Sequence, residues 1–267
     1  MTSTKDHHGK TDSPEYQKKK AFFRSLLTIY GRKPVLEALQ AEDVQPIKLH
    51  LAESNKNAEI IEEIISLAKK KNAEVNYHSR QALARISKNT KQDQGVCVDI
   101  QCPNYLTDDQ FIEKNKNRGF ELIALDGITN PQNLGMIIRS ATAGFIDGII
   151  LPEKGCAQID PLVIKASAGS VFKAPIVRCE NLKTTLEKFQ SNCQSQVISL
   201  SLDTETHISQ INKISESKIF VLGNETAGVS QAIHQLCNYS VKIPMNNQVE
   251  SLNVAVTAAL LSFRKVL

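Results

Sequence analysis

Tryptophan is absent from the 267 residues, and Phe, Tyr and Trp together make up only 5%. So thin an aromatic supply excludes an extended base-stacking platform. No apolar run approaches the ~18 residues that would span a membrane. The apolar-rich stretch 251–267 has Asn253 at its start and Arg264 and Lys265 near its end. The opening MTSTKDHHGK lacks an apolar core and does not read as a secretory signal. Asp6, Asp12 and Glu15, with no amphipathic pattern, argue against a mitochondrial presequence, so a cytoplasmic protein is expected. Six cysteines form no C-x-x-C pair and have no His at zinc-ligand spacing. Reduced, buried thiols and no bound metal are the expectation. A G-x-G-x-x-G fingerprint is missing, which argues against a dinucleotide site. There is no nucleophile elbow, and none of His7, His8, His50, His78, His207 and His234 is assigned to catalysis.

What is present is an ordinary globular composition, 41% hydrophobic and 22% charged. At roughly 100–200 residues per domain, the length allows one large or two modest domains. The net charge of +4 is compatible with nucleic acid binding without demanding it.

Residues 1–24 are polar and end in Lys18, Lys19, Lys20 and Arg24, a disordered basic tail that either touches phosphates or has no role. Periodicity then predicts helix over 32–40, strand over 47–51, an amphipathic helix over 57–71, strand over 75–77, a helical turn or two over 80–86 and strand over 96–100. This is a small α/β unit, residues 25–100. Residues 101–118 read as a linker with a short helix around 108–114. A second α/β series fills 119–267, and its alternation implies a mostly parallel sheet covered on both faces.

Three segments of this second series are unusual. In LDGITNPQNLGMIIRSATAGF (125–145) a strand runs into an Asn-, Pro- and Gly-rich loop, and a helix is expected from about 133–135. Gly135 lets a ligand or another backbone approach closely. Arg139 then sits one turn into the helix, placed to meet a phosphate at the sheet's ligand-binding edge. An ordinary loop with an exposed Arg fits the pattern as well. In FVLGNETAGVS (220–230), Gly223 and Gly228 flank Glu225 between strand and helix. That suits either a backbone–ligand contact or a carboxylate near a helix start. In VKIPMNNQVESLNVAVTAALL (241–261), Ser251 and Asn253 bracket the start of a helix, where both cap well. Its small residues Ala255, Ala258 and Ala259 call for a closely packed neighbour, a partner subunit among the candidates.

Together, Asn133-Leu-Gly135-x-x-x-Arg139, Leu222-Gly223-Asn224-Glu225-x-x-Gly228, and Ile243-Pro244-Met245 with Ser251-Leu252-Asn253-Val254 resemble, in order and spacing, the three motifs of the SpoU (TrmH) family of RNA ribose 2′-O-methyltransferases of the SPOUT superfamily. The stretch IYGRKPVLEAL is similar to the start of the RNA-binding domain of the RlmB-like branch, whose members methylate guanosine in 23S rRNA. The resemblance implies a small α/β ribosomal-protein-like RNA-binding domain before a catalytic domain with a deep trefoil knot, a rare exception to unknotted topology. It implies S-adenosylmethionine as cofactor, with Gly223, Ile243, Met245 and Leu252 at it, and Arg139, Asn133, Glu225, Ser251 and Asn253 as catalytic residues. It further implies a homodimer whose active site uses both subunits, acting on RNA, most of all ribosomal RNA, with no membrane and no metal. The alternatives from the sequence are a catalytically silent RNA-binding or ribosome-assembly factor on the same fold, a tRNA ribose methyltransferase, and an α/β enzyme unrelated to nucleic acid. Motif 3 continues Val-Ala-Val-Thr where the family more often has Val-Ser-Val-Ala.

Overall fold

The computed structural model describes residues 13, 15, 26–42, 44–55, 58–102, 104–201, 204–213, 216–249 and 251–266. The basic tail expected over 1–24 lies outside them, apart from Ser13 and Glu15.

The first sheet has the order β1-β4-β2-β3, from strands β1 (Leu26–Tyr30), β2 (Gln45–Ala52), β3 (Glu74–His78) and β4 (Val96–Gln101). β2 and β3 run parallel, while β4 is antiparallel to both its neighbours, β1 and β2. Helix α1 (Arg32–Gln40) buries Val35, Ala38 and Leu39. Helix α2 (Glu59–Lys70) buries Ile61, Ile64 and Ala68, starts with Glu59 and Glu62 and ends with Lys69 and Lys70, as its dipole favours. Helix α3 (Arg80–Ser87) starts at Ser79, whose side chain accepts from the Ala82 N–H. β1 is an element the periodicity did not reveal.

The second sheet has the order β11-β9-β10-β6-β7-β8-β5, and every pairing among the described residues is parallel. Its strands are β5 (Tyr105–Thr107), β6 (Glu121–Leu125), β7 (Gly148–Pro152), β8 (Ile176–Cys179), β9 (Gln196–Leu200), β10 (Lys218–Leu222) and β11 (Tyr239–Val241). The helices are α4 (Asp108–Asn115), α5 (Pro131–Ala143), α6 (Pro161–Ala166), α7 (Leu182–Cys193), α8 (Gln231–His234) and α9 (Val254–Phe263). Both faces are apolar, which is why the strands read as continuous hydrophobic runs. Ile123, Leu125, Phe220 and Leu222 pack with α5 and α9, while Leu122, Ala124, Ile219 and Val221 share a cluster with Phe111, Leu186 and Phe189 of α4 and α7.

The stretch expected to be a linker differs. Tyr105–Thr107 pairs with Ile176–Arg178 as the sheet's edge strand. A reciprocal Thr107–Gln110 capping box then starts α4. The Phe111 ring meets Phe120 edge-on at 5.3 Å between centroids.

A buried charge cluster anchors the end of α9. Glu121 is 5% exposed. It meets Arg264 at 2.5 Å, Lys265 at 3.2 Å and Lys218 at 3.5 Å, while the Arg264 guanidinium stacks over the Phe220 ring at 4.6 Å. Burial pushes the Glu121 carboxyl up, but Arg264 and Lys265 outweigh it and hold the pKa below the ordinary value. A carboxylate of this kind stabilises the fold above its unfolded pKa, and the gain is lost as pH falls through the folded value. Glu121→Ala is therefore expected to cost about 3–5 kcal/mol near neutral pH, because it strands buried cations. Thermal unfolding from pH 7 to pH 3 checks this. The gap between variant and wild type should narrow at the acid end, and a pH-independent gap would refute the assignment.

Candidate active site

Strand order reverses between β6 and its neighbours β7 and β10, and the loops leaving β6 and β10 meet at this switch point. That crevice is where open parallel sheets take ligands. Two asparagines shape it. Asn130 caps α5 by accepting from the N–H groups of Gln132 and Asn133, with Pro131 as the first helical residue. Asn224 folds the 223–228 loop on itself. Its backbone exchanges both bonds with Gly228 (2.9 and 2.8 Å), its side-chain oxygen accepts from Thr226 and Ala227, and its amide donates to the Gly127 carbonyl at 2.9 Å. The Ser230 N–H donates to Asp126 at 2.7 Å, tying the loop's far end to β6. Asn130 and Asp126 were not singled out in the sequence, and Asn224 was quoted in the second motif without a role. The signal available was the density of Asx residues beside glycine in both loops.

Gly223 has no room for a side chain: a Cβ there would lie 2.2 Å from the Gly228 carbonyl carbon. Gly135 serves the approach of another backbone, since its Cβ would lie 2.5 Å from Ala166 of α6. Within this frame Asn133, 9% exposed, donates to Glu225 and accepts from Asn253 Nδ2 at 3.2 Å. Asn253 also caps α9, its side-chain oxygen accepting from the Ala255 N–H at 2.8 Å. One chain of hydrogen bonds thus joins the three segments that the sequence singled out.

In front of this chain opens a cleft of about 770 Å³. Gly223, Glu225, Ile243, Met245, Ser251, Leu252 and Asn253 all line it. Asn133 stands behind them through its bonds to Glu225 and Asn253. His234, left unassigned in the sequence, also lines the cleft. Apolar and polar groups in about equal share, with glycine backbone between them, suit a small organic ligand that is itself part apolar and part polar. Burial pushes the Cys97, Cys102 and Cys179 thiols up to about 12, so these are not nucleophiles. No group of three or more His, Cys, Asp or Glu side chains suited to a metal occurs among the described residues.

Arg139 is placed differently from expectation. The helix starts at Pro131, so Arg139 lies about two turns in, roughly 12 Å along the axis from the helix start. It is exposed and does not line the cleft of its own chain. The face of small residues on α9 is also spoken for. Ala255 and Ala258 are buried in the core beside α5, and a Cβ on Gly144 would touch Ser262 at 2.6 Å. What α5, the turn after it and α9 leave exposed is larger: Met136, Phe145 and Val256 are each 41–54% accessible, and Phe145 meets Phe263 edge-on.

A parallel α/β sheet with glycine-shaped loops at its switch point places the chain among the α/β proteins that bind a ligand at that crevice. Comparison with known proteins narrows the class. Residues 121–263 match the model of the SpoU rRNA methylase family, and residues 28–106 match that of the RNA 2′-O ribose methyltransferase substrate-binding domain. An uncharacterized tRNA/rRNA methyltransferase of Mycolicibacterium vanbaalenii is 31% identical over 253 residues, covering 94% of this chain and 76% of its own. A TrmH family tRNA/rRNA methyltransferase of Staphylococcus aureus is 30% identical, covering 88% and 93%. Among solved structures, the AdoMet-bound rRNA methyltransferase from Sinorhizobium meliloti has a TM-score of 0.63 at 24% identity, covering 94% of this chain and 92% of its own. The SpoU methyltransferase AviRb from Streptomyces viridochromogenes, in complex with AdoMet, has a TM-score of 0.60 at 21% identity, covering 94% and 91%. The chain belongs to the SpoU family of RNA methyltransferases. No described helix is long and apolar enough to cross a membrane.

Proposed function

We propose that the chain transfers the methyl group of S-adenosylmethionine to a ribose 2′-hydroxyl in structured ribosomal RNA, as a cytoplasmic homodimer of the RlmB-like branch. The observation that carries this reading is the Asn133–Glu225–Asn253 chain of hydrogen bonds behind a glycine-lined cleft. The cleft fits the cofactor in kind: Leu222, Ile243 and Leu252 offer apolar walls, and Gly223 removes the one Cβ that would reshape the loop. Bound there, the cofactor supplies an already activated methyl group. The chain's own residues then hold the acceptor and stabilise the charge that develops on it. A guanidinium holds its proton too firmly to be a base, so Arg139 acts by gripping the neighbouring phosphate and stabilising the developing alkoxide. The exposed position of Arg139, outside its own cleft, supports its serving the cleft of a second copy. The exposed apolar side chains of Met136, three residues before it on the same helix, and of Phe145 and Val256 support that dimer. Ile243, Met245, Ser251 and Leu252 line the same cleft as the 223–229 loop, and α9 packs on α5; both support the trefoil knot.

We further assign residues 25–100 to RNA binding and 119–267 to methyl transfer. The basic groups on the first sheet divide between its ends. Lys71 donates to the Ala41 and Val44 carbonyls at one end, whereas Arg80 follows His78 at the other, so Lys69–Lys71 do not join Arg80 and Arg85. Arg32, bonded to Asn55 at 2.7 Å, comes from the same end as Arg80, as do Lys88 and Lys91 of the α3–β4 loop. These form the better phosphate-facing set.

Mapping 2′-O-methyl sites in ribosomal RNA from cells with and without the gene tests the reading. A site that disappears and is restored by the purified protein on the unmodified RNA is expected. Modification of transfer RNA alone would move the substrate, and no site in either would favour a silent binding factor. Gly223→Ala should weaken S-adenosylmethionine binding at least about tenfold by calorimetry, a cost above roughly 1.4 kcal/mol. Wild-type binding should survive a chelator. Unchanged affinity in the variant would place the cofactor elsewhere.

A further inference from the structure

The face of the first sheet that α1 and α2 do not cover carries a histidine pair, His50 buried and His78 half-buried, for which methyl transfer has no use. Register sets the arrangement: Thr28 and Lys48 each lie opposite Asp99, His50 lies opposite Cys97 and Asn76, and His78 ends β3 opposite Ala52. Alternate residues share a face, which gathers these side chains. Thr28 Oγ1 donates to Asp99 Oδ1 at 2.6 Å. Asp99 Oδ2 lies 3.2 Å from His50 Nε2, and His50 Nδ1 lies 2.9 Å from His78 Nε2. His50 is 5% exposed.

The contact between the two rings has room for a single proton. With both rings neutral, His78 Nε2–H donates to His50 Nδ1, and His50 Nε2–H donates to Asp99. With one proton added to the pair, one ring still donates across the contact and the other still accepts, and Asp99 faces the added charge. A second added proton would set N–H against N–H across 2.9 Å. We infer that Asp99, His50 and His78 form a pH-sensitive clasp that holds the edge strand β3 to the sheet and loosens it on acidification.

Among the described strands β3 pairs with β2 alone, so the sheet holds it from one side. The other charges acting here are few. Lys48 is paired with Glu74 at 3.0 Å, Glu53 follows the end of β2 with its N–H on the His78 carbonyl, and Asp93 acts on Cys97. Helix α3 covers the rest of this face with Leu83 and Ile86, and its Arg80 and Arg85 are exposed. Burial, then His50 and Lys48, hold the His78 pKa below the ordinary value, against Glu53. The unfolded chain therefore binds more protons than the folded one below pH about 6.5, and stability is lost as pH drops from there.

The test uses the full chain. Proton NMR of the histidine rings should show the pair taking up one proton, not two, between pH 7.5 and 5.5. Over the same interval, amide exchange in residues 75–78, corrected for intrinsic rates, should rise on the order of tenfold in wild type. His78→Gln keeps an N–H donor toward His50 without titrating, and its exchange should stay flat. The same acid response in the variant, or two protons taken up with β3 still protected, would overturn the clasp. So would protection by added zinc, which would make the ring pair a metal site.

Discussion

Arg139→Ala is expected to lower the methylation rate on the order of 10²-fold or more while leaving the fold and S-adenosylmethionine affinity unchanged. Electrostatic contacts made where charge develops carry losses of this size. Affinity should survive because Arg139 does not line the cleft of its own chain. Arg139→Lys should fail almost as badly, since a lysine cannot present a bidentate fork to a phosphate. The position of the side chain adds a sharper outcome. Two chains co-expressed, one carrying Arg139→Ala and the other Gly223→Ala, should regain activity that neither has alone. In the mixed dimer the intact cleft of the first chain meets the intact arginine of the second. No recovery, with mixed dimers demonstrated, would mean that the arginine serves its own chain. A near-wild-type rate for either single variant would remove Arg139 from the reaction.

Arg139 also shows where sequence reasoning stopped. The loop before α5 reads as irregular through Asn130 and Pro131, so a helix start near 133–135 is the natural expectation. A capping Asn followed by Pro is nevertheless a strong start signal, and it moves Arg139 a full turn further along. Strands of the second sheet were easy to locate, because burial on both faces makes runs such as Leu122–Leu125 and Ile219–Leu222 continuous. β5 was not, since three residues at a sheet edge carry too little pattern. The motifs placed Gly223, Ile243, Met245 and Leu252 around one cleft, yet nothing in their spacing exposed Asn224 as the residue that shapes the loop. Its role rests on bonds to its own backbone neighbours and to Gly127, nearly a hundred residues away. Charge clusters were the least legible. Lys69–Lys71 and Arg80 are close in sequence, but the intervening strand carries the chain from one end of the sheet to the other.

The same edge strand decides how the division of labour can be tested. A chain starting near residue 115 would lose β5 and most of α4, stripping Phe111 and Ile112 from the cluster that holds Phe120 and Phe189. Its failure would report on stability rather than RNA binding. A chain starting at Asn104 keeps both elements, and the Asn104 side chain still donates to the Lys173 carbonyl. This shorter protein is expected to elute as a dimer and to bind S-adenosylmethionine like the full chain, while losing most RNA affinity and methylation activity. The reason is that Arg32, Arg80, Lys88 and Lys91 go with the removed sheet. Cations of this kind bind phosphate through counterion release, so the slope of log affinity against log salt should become shallower by about 0.7–0.9 for each phosphate no longer neutralised. Shape and unpaired nucleotides choose the site in structured RNA, so the cleft alone should show little preference among RNA fragments. A sizing column and titrations with an rRNA fragment at two salt concentrations decide it. An intact dimer that binds RNA like the full chain, with the same salt slope, would return RNA recognition to the second sheet. A monomer would make the first sheet a support for the dimer.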